Sequence, residues 1–227
     1  LMVRIPDLAQ FAVVMPSEWW PAGSLELNGS FAGDWSRPRL EAKLKGFDLS
    51  VIDQQFSTLV ARLVIDPDRV VLDDLDLRQG EGRLEATAQM TLTTGDYAVL
   101  LAGRGLRLDP WRVDEVGLRA LAATVDLDLE SSGSIGDPRG VVRLMVRDLV
   151  YRDYVIDRSE HVLTFDAGEW RLRSRAPTLA AEIDLAVEPK SPWRYQLDAR
   201  LTETDLHQLV ASTAPLRDRL GGRLSLL

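Results

Sequence analysis

The side chains able to ligate a metal or move a proton are few here, and poorly spaced for either task. His161 and His207 are the only histidines. They fall in different elements without a metal-ligand spacing, so surface or helix-face roles are expected of both. Asp73, Asp74 and Asp76 offer the oxygen ligands of a calcium site. Leu75 and Leu77 alternate with Asp74 and Asp76, however, and that pattern belongs to a solvated strand face. Gly80-x-Gly82 and Gly103-x-Gly105 imitate phosphate-cradling loops, yet neither opens a long helix whose N-terminus would hold the phosphate. Asn28-Gly29-Ser30 matches a glycosylation sequon, and its glycine is expected to serve a bulge. Trp19-Trp20, between Pro16 and Pro21, suits a lipid headgroup or the capping of an open sheet end. No catalytic residue, metal or cofactor emerges, and no enzyme is expected.

What the chain has in quantity is apolar surface. Leu84, Ala86, Ala88, Met90 and Leu92 occupy alternate positions, with Glu85, Thr87, Gln89 and Thr91 between them. The same period runs through Leu121, Ala123, Val125, Leu127 and Leu129, and through Leu179, Ala181, Ile183, Leu185 and Val187. Successive strand residues face opposite sides, so each run gives one apolar and one wet face. The residues expected to line an apolar groove are Leu25, Leu27, Leu40, Ala42, Leu44, Leu84, Ala86, Met90, Leu92, Val125, Leu127, Leu129, Ile183, Leu185 and Val187. The bland alternative is that they pack against one another in a closed sandwich. Small residues such as Ala42, Ala86 and Ala88 leave room along the face, which favours a groove.

The elements that must position these residues are strands. About six are expected in a first unit, at 24–31, 38–47, 57–66, 69–78, 82–93 and 96–108, with counterparts in a second. Asp66-Pro67-Asp68, Thr94-Gly95-Asp96, Asp166-Ala167-Gly168 and Pro189-Lys190-Ser191-Pro192 favour chain reversal. Connections this short imply antiparallel neighbours, because a parallel crossover takes a dozen or more residues. Short helices are expected to start at Asp7, Asp109 and Asp205, where a carboxylate can cap the first turn and Pro110 fits the first helical position. So few helical turns cannot blanket a dozen strands; the sheet must curl, pack as a sandwich or hold something greasy.

These features recur at a spacing of about a hundred residues. Gly23-Ser24-Leu25 is echoed by Ala123-Thr124-Val125 and Gly222-Arg223-Leu224, Pro38-Arg39 by Pro138-Arg139, and Asp48-Leu49 by Asp148-Leu149. The expected organisation is the tail of one repeat with a short helix (1–22), repeat unit 1 (23–122), repeat unit 2 (123–220) and the start of unit 3 (221–227).

At 227 residues and 45% hydrophobic content, the chain is long enough to bury a sizeable core. Its net charge of -8 argues against a nucleic-acid partner. The absence of cysteine excludes disulfide frameworks and thiolate metal sites. No run of 18 apolar residues exists to cross a membrane as a helix. An outer-membrane barrel fits the alternation, but 7% aromatics and the lack of terminal girdles weaken it.

The order of elements resembles the periplasmic repeats of the AsmA-like superfamily, most closely the TamB type. The likeness rests on the short Asp-Leu helix and the Gly-x-Leu-x-Leu-x-Gly-x-x-x-Gly opening from Gly23 to Gly33. It continues through Pro38-x-Leu-x-Ala-x-Leu ending at Asp48-Leu49, Gly80-x-Gly-x-Leu-x-Ala, and Tyr97 followed by Gly103-x-Gly-Leu. The second unit departs from it, with Ala123 in place of glycine and Ala176-Pro177-Thr178 in place of the glycine pair.

The resemblance implies a mainly β protein whose long antiparallel strands form a curled, taco-like sheet with an apolar groove, with short helices between repeats. It implies a bridge-like protein in the periplasm of a Gram-negative bacterium, anchored to the inner membrane through a segment not present here. The implied partners are phospholipid or another acyl-chain ligand, neighbouring repeats of the same chain and an outer-membrane barrel protein. The implied task is phospholipid transport between inner and outer membranes. The competing reading is a scaffold for outer-membrane protein assembly by β-augmentation.

Overall fold

The computed structural model describes residues 2–8, 22–34, 37–51, 54–108, 121–151, 154–166, 168–177, 181–188 and 194–201. Among them are thirteen strands and no α-helix: β1 (Met2–Ile5), β2 (Ala22–Ala32), β3 (Arg39–Val51), β4 (Gln54–Ile65), β5 (Arg69–Gln79), β6 (Gly82–Thr91), β7 (Asp96–Leu108), β8 (Leu121–Ser134), β9 (Asp137–Tyr151), β10 (Tyr154–Asp166), β11 (Glu169–Ala176), β12 (Ala181–Glu188) and β13 (Arg194–Leu201). They lie side by side in chain order in one open sheet. Each is antiparallel to the next, so the protein is mainly β.

The six strands expected in the first unit appear within four residues of their expected ends. β1 was not foreseen; its four residues are too few to show a period. Reversals form at the Asp66 and Thr94 turns, while Ala167 and Pro189-Lys190-Ser191-Pro192 lie outside the described residues. At the β4–β5 turn, Asp66 Oδ1 accepts from the backbone N–H groups of Asp68 (3.2 Å) and Arg69 (3.0 Å). The segment after Leu8, with Trp19-Trp20, lies outside the described residues, as do Asp109, Asp205, His207 and 221–227.

The strands pair only with their neighbours in chain order, and no large side chain among the described residues is fully buried, as it would be between two stacked sheets. The described residues therefore build a single layer, and the closed sandwich is not their packing. Burial within one layer comes from side-by-side neighbours, and small or β-branched residues achieve it most fully. Ala42, Ala61, Ala123, Val125 and Val146 are buried, as is Leu49. Ala123, Val125 and Val146 form the tightest cluster, flanked by Leu108, Leu127, Leu144 and Leu149.

Four irregularities keep the apolar residues on one side. In β3 the apolar period steps by three from Gly46 to Leu49, in β5 from Leu72 to Leu75, in β7 from Gly103 to Leu106, and in β9 from Val146 to Leu149. An unbroken pleat would throw the second member of each pair to the wet face. Each step instead contains a residue with a left-handed backbone: Asp48 (φ 51°), Asp74 (φ 51°), Gly105 (φ 59°) and Asp148 (φ 52°). The pairing with a neighbouring strand slips at each. These are β-bulges, and the extra residue restores the face.

Two expectations change here. Gly29 pairs with Ala42 without any slip, so it serves no bulge. A Cβ there would meet the Glu41 carbonyl oxygen and lie 2.7 Å from Ala42 Cα, so glycine permits close strand approach. The alternation through Asp74 is also broken, because Asp74 is itself a bulge residue. Asp76 lies on the polar face and pairs with Arg83 at 2.9 Å and Arg78 at 3.6 Å.

Candidate functional site

Directly opposed residues in an antiparallel pair project to the same side, so the register traces which residues share a face. One row crosses the sheet through Leu25, Gly46, Leu59, Leu77, Leu84, Gly103, Leu127, Leu144, His161, Ser174, Ile183 and Ala199. The adjacent row runs through Leu75, Ala86, Leu101, Leu129, Val142, Leu163, Leu172, Leu185 and Leu197. Val3 and Ile5 of β1 join through Leu27 and Leu25. One apolar face thus runs across all thirteen strands.

Leu25, Leu27, Leu40, Ala42, Leu44, Leu84, Ala86, Met90, Val125, Leu127, Leu129, Ile183, Leu185 and Val187 all lie on this face. Leu92 sits just beyond the end of β6, where its N–H donates to the Asp68 carbonyl at 2.7 Å. Leu59, Ala61 and Leu63 of β4 share the face, as do Leu72, Leu75 and Leu77 of β5, though sequence reasoning passed over them. β4 carries Val60 and Val64, and β5 Val71, on the opposite side, and the β5 bulge hides the period. A three-residue step between apolar positions, filled by Asp or Gly, was the signal available.

The opposite face is held by ion pairs between neighbouring strands. Arg4 pairs with Glu26, Arg104 with Asp128, Arg147 with Asp126, Arg173 with Asp184 and Arg175 with Glu182, while Arg62 bonds to Glu41. Exposed pairs of this kind contribute about 0.2–1 kcal/mol each, so they orient the sheet more than they stabilise it. Isolated apolar residues such as Val60 and Leu100 also lie here. A concavity of about 850 Å³ opens on this side, edged by Asp76, Arg83, Glu85, Asp128, Glu130 and Arg143 and lined also by Val60, Leu100 and Ala102. The described residues hold no group of three His, Asp or Glu side chains able to bind a metal.

Many large side chains of the apolar face remain accessible. Phe31 is 48% exposed, Trp170 and Ile183 41%, and Leu197 40%. Each 100 Å² of such surface removed from water contributes roughly 2.5 kcal/mol. A face this continuous is a surface on which an apolar ligand gains free energy.

Three polar groupings interrupt it. Buried Gln79, in the same alternation as Leu75 and Leu77, donates through Nε2 to Gln54 Oε1 and to the Arg107 carbonyl and accepts from the Arg107 N–H. Tyr97 Oη lies 2.9 Å from Ser131 Oγ, which donates to the Arg139 carbonyl at 3.1 Å. His161 lies between Ser159 Oγ, 3.0 Å from its Nε2, and Ser174 Oγ, 2.9 Å from its Nδ1. Burial pushes the His161 imidazole below its ordinary pKa of 6.5. His161 is therefore a half-buried member of the apolar face rather than the surface or helix-face residue expected of it.

Comparison with known proteins yields no match: no family model, no curated protein and no solved structure corresponds to this chain.

Proposed function

We propose that this chain is a non-enzymatic segment of a TamB-type, AsmA-like envelope protein in the periplasm, whose curled sheet forms an apolar groove for phospholipid transport between inner and outer membranes. The observation that supports this reading is the single apolar face crossing every strand of a one-layer sheet. At about 4.8 Å between strands, thirteen strands give a path roughly 60 Å long. The native twist of a sheet this wide supplies curvature. Acyl chains lying along the face remove apolar area from water without a second protein layer.

Charge on the groove face tests the proposal. Leu127→Asp and Ile183→Asp reduce transfer of a fluorescent phospholipid between vesicles by the chain, while far-UV circular dichroism still reports a sheet. Thr87→Asp, on the opposite face, leaves transfer intact. Undiminished transfer by the folded Leu127→Asp and Ile183→Asp chains refutes the groove.

A scaffold that recruits outer-membrane protein clients by β-augmentation is the second reading. It is favoured by the openness of the sheet: among the described residues, β1 and β13 each pair on one side only. The chain has no cysteine, so a thiol placed by Leu197→Cys is unique. Crosslinking from it to a client barrel strand supports this reading.

A further inference from the structure

We propose that Ser159, His161 and Ser174 form a hydrogen-bonding subsite within the apolar face, which receives the ester carbonyl of an acyl lipid through the Ser174 hydroxyl. The proposal rests on the groove reading above and names the part of the ligand that the groove recognises.

A neutral imidazole carries one N–H donor and one nitrogen acceptor, and each serine brings one O–H. That makes three protons, while the two contacts, Ser159 to Nε2 at 3.0 Å and Nδ1 to Ser174 at 2.9 Å, consume two. One hydroxyl proton is left over in either tautomer. Ser159 is 3% exposed, and a spare proton there would be stranded away from any acceptor, so Ser159 donates to Nε2. Nδ1 then carries the ring proton and donates to Ser174. The spare donor is the Ser174 hydroxyl, on the more accessible serine.

The second polar grouping has no such surplus. Ser131 donates to the Arg139 carbonyl, so Tyr97 donates to Ser131 and every proton is used. The His161 group, unlike that of Tyr97, thus keeps a donor for an acceptor from outside. What surrounds it is apolar: Leu144 lies opposite His161, Leu163 follows two residues along β10, and Leu172 and Ile183 flank Ser174. A ligand seated here needs hydrocarbon on both sides of a single acceptor. Burial works against a charge on the ring, so an uncharged ester carbonyl fits better than a fatty-acid carboxylate or a phosphate.

The test compares a diester phospholipid with its diether analogue, identical in headgroup and chain length, for binding to the chain. Wild type binds the diester roughly two- to tenfold more tightly, the contribution expected of one neutral hydrogen bond. Ser174→Ala abolishes the preference without weakening diether binding, and Ser174→Thr, which keeps the hydroxyl, retains it. Equal binding of the two lipids by wild type overturns the subsite while leaving the groove standing. A preference that survives in Ser174→Ala, or is lost in a folded Ser174→Thr, overturns the assignment to Ser174. Failure of wild type to bind either lipid overturns the groove and the subsite together.

Discussion

Asp48 and Asp148, a hundred positions apart, hold the same left-handed backbone, φ 51° and 52°. Each marks the place where its strand slips against the strand before it, between Ala22 and Ser24 in one case and Ala122 and Thr124 in the other. The slip carries Leu49 over Gly46 in β3 and Leu149 against the Ala123–Val125–Val146 cluster in β9. Asp tolerates this conformation better than most L-residues, and a β-branched side chain resists it. Asp148→Val is expected to destabilise the fold by about 1–2 kcal/mol, and Asp148→Gly to be close to neutral. Urea unfolding of both variants measures the difference; equal stability would show that the bulge is not strained.

Gly140 sits on the apolar face where β9 lies close against β8 and β10. A Cβ there would meet the Glu130 carbonyl oxygen and lie 2.8 Å from the Phe165 ring. The backbone oxygen cannot withdraw, so Gly140→Ala is expected to cost roughly 1–3 kcal/mol. Gly136→Ala, with no atom within 4 Å of the added carbon, is the control and should shift the urea midpoint little.

The polar face should show its ion pairs in acid. Hydrogen bonding from Arg83 holds the Asp76 carboxyl below its ordinary pKa of 3.8. A carboxylate depressed in the fold stabilises it above the unfolded pKa, and that contribution is lost as pH falls through the folded value. Asp76→Asn should therefore be less stable than wild type at pH 7 and lose that deficit below about pH 3–4. Urea midpoints across that range check the sign.

His161 acts in the same direction at milder pH. Its burial lowers the folded pKa, so the unfolded chain binds more protons once pH drops below about 6.5. The residues directly opposite it, Leu144 and Ser174, do not titrate in this range. Stability is expected to be full above pH 6.5 and to decline towards pH 5.5, with the decline flattened in His161→Gln. A decline of equal size in His161→Gln assigns it to another group.

Much of the sheet was legible in the residues because sustained alternation over seven or more positions has no other structural reading. Leu84 to Met90 shows this, since β6 holds those residues on one face without a slip against β7. Legibility failed where the period stepped. The Leu72 to Leu75 interval read as a continuing strand face, and only the left-handed Asp74 reveals that the chain inserts a residue to return its leucines inward. His161 was misjudged for a different reason. An isolated histidine carries no periodic signal, and the two serines that satisfy it lie on its own strand and on the next one. The absence of a second layer could not be read from the residues at all, since a sandwich and a single sheet share the same alternation.

Native mass spectrometry of gently purified chain tests the central claim most directly. Acyl-chain ligands should accompany the wild-type protein as discrete added masses, diminish in Leu127→Asp, and persist in Thr87→Asp. A folded wild-type chain that emerges free of lipid, and stays so after incubation with phospholipid vesicles, contradicts the account.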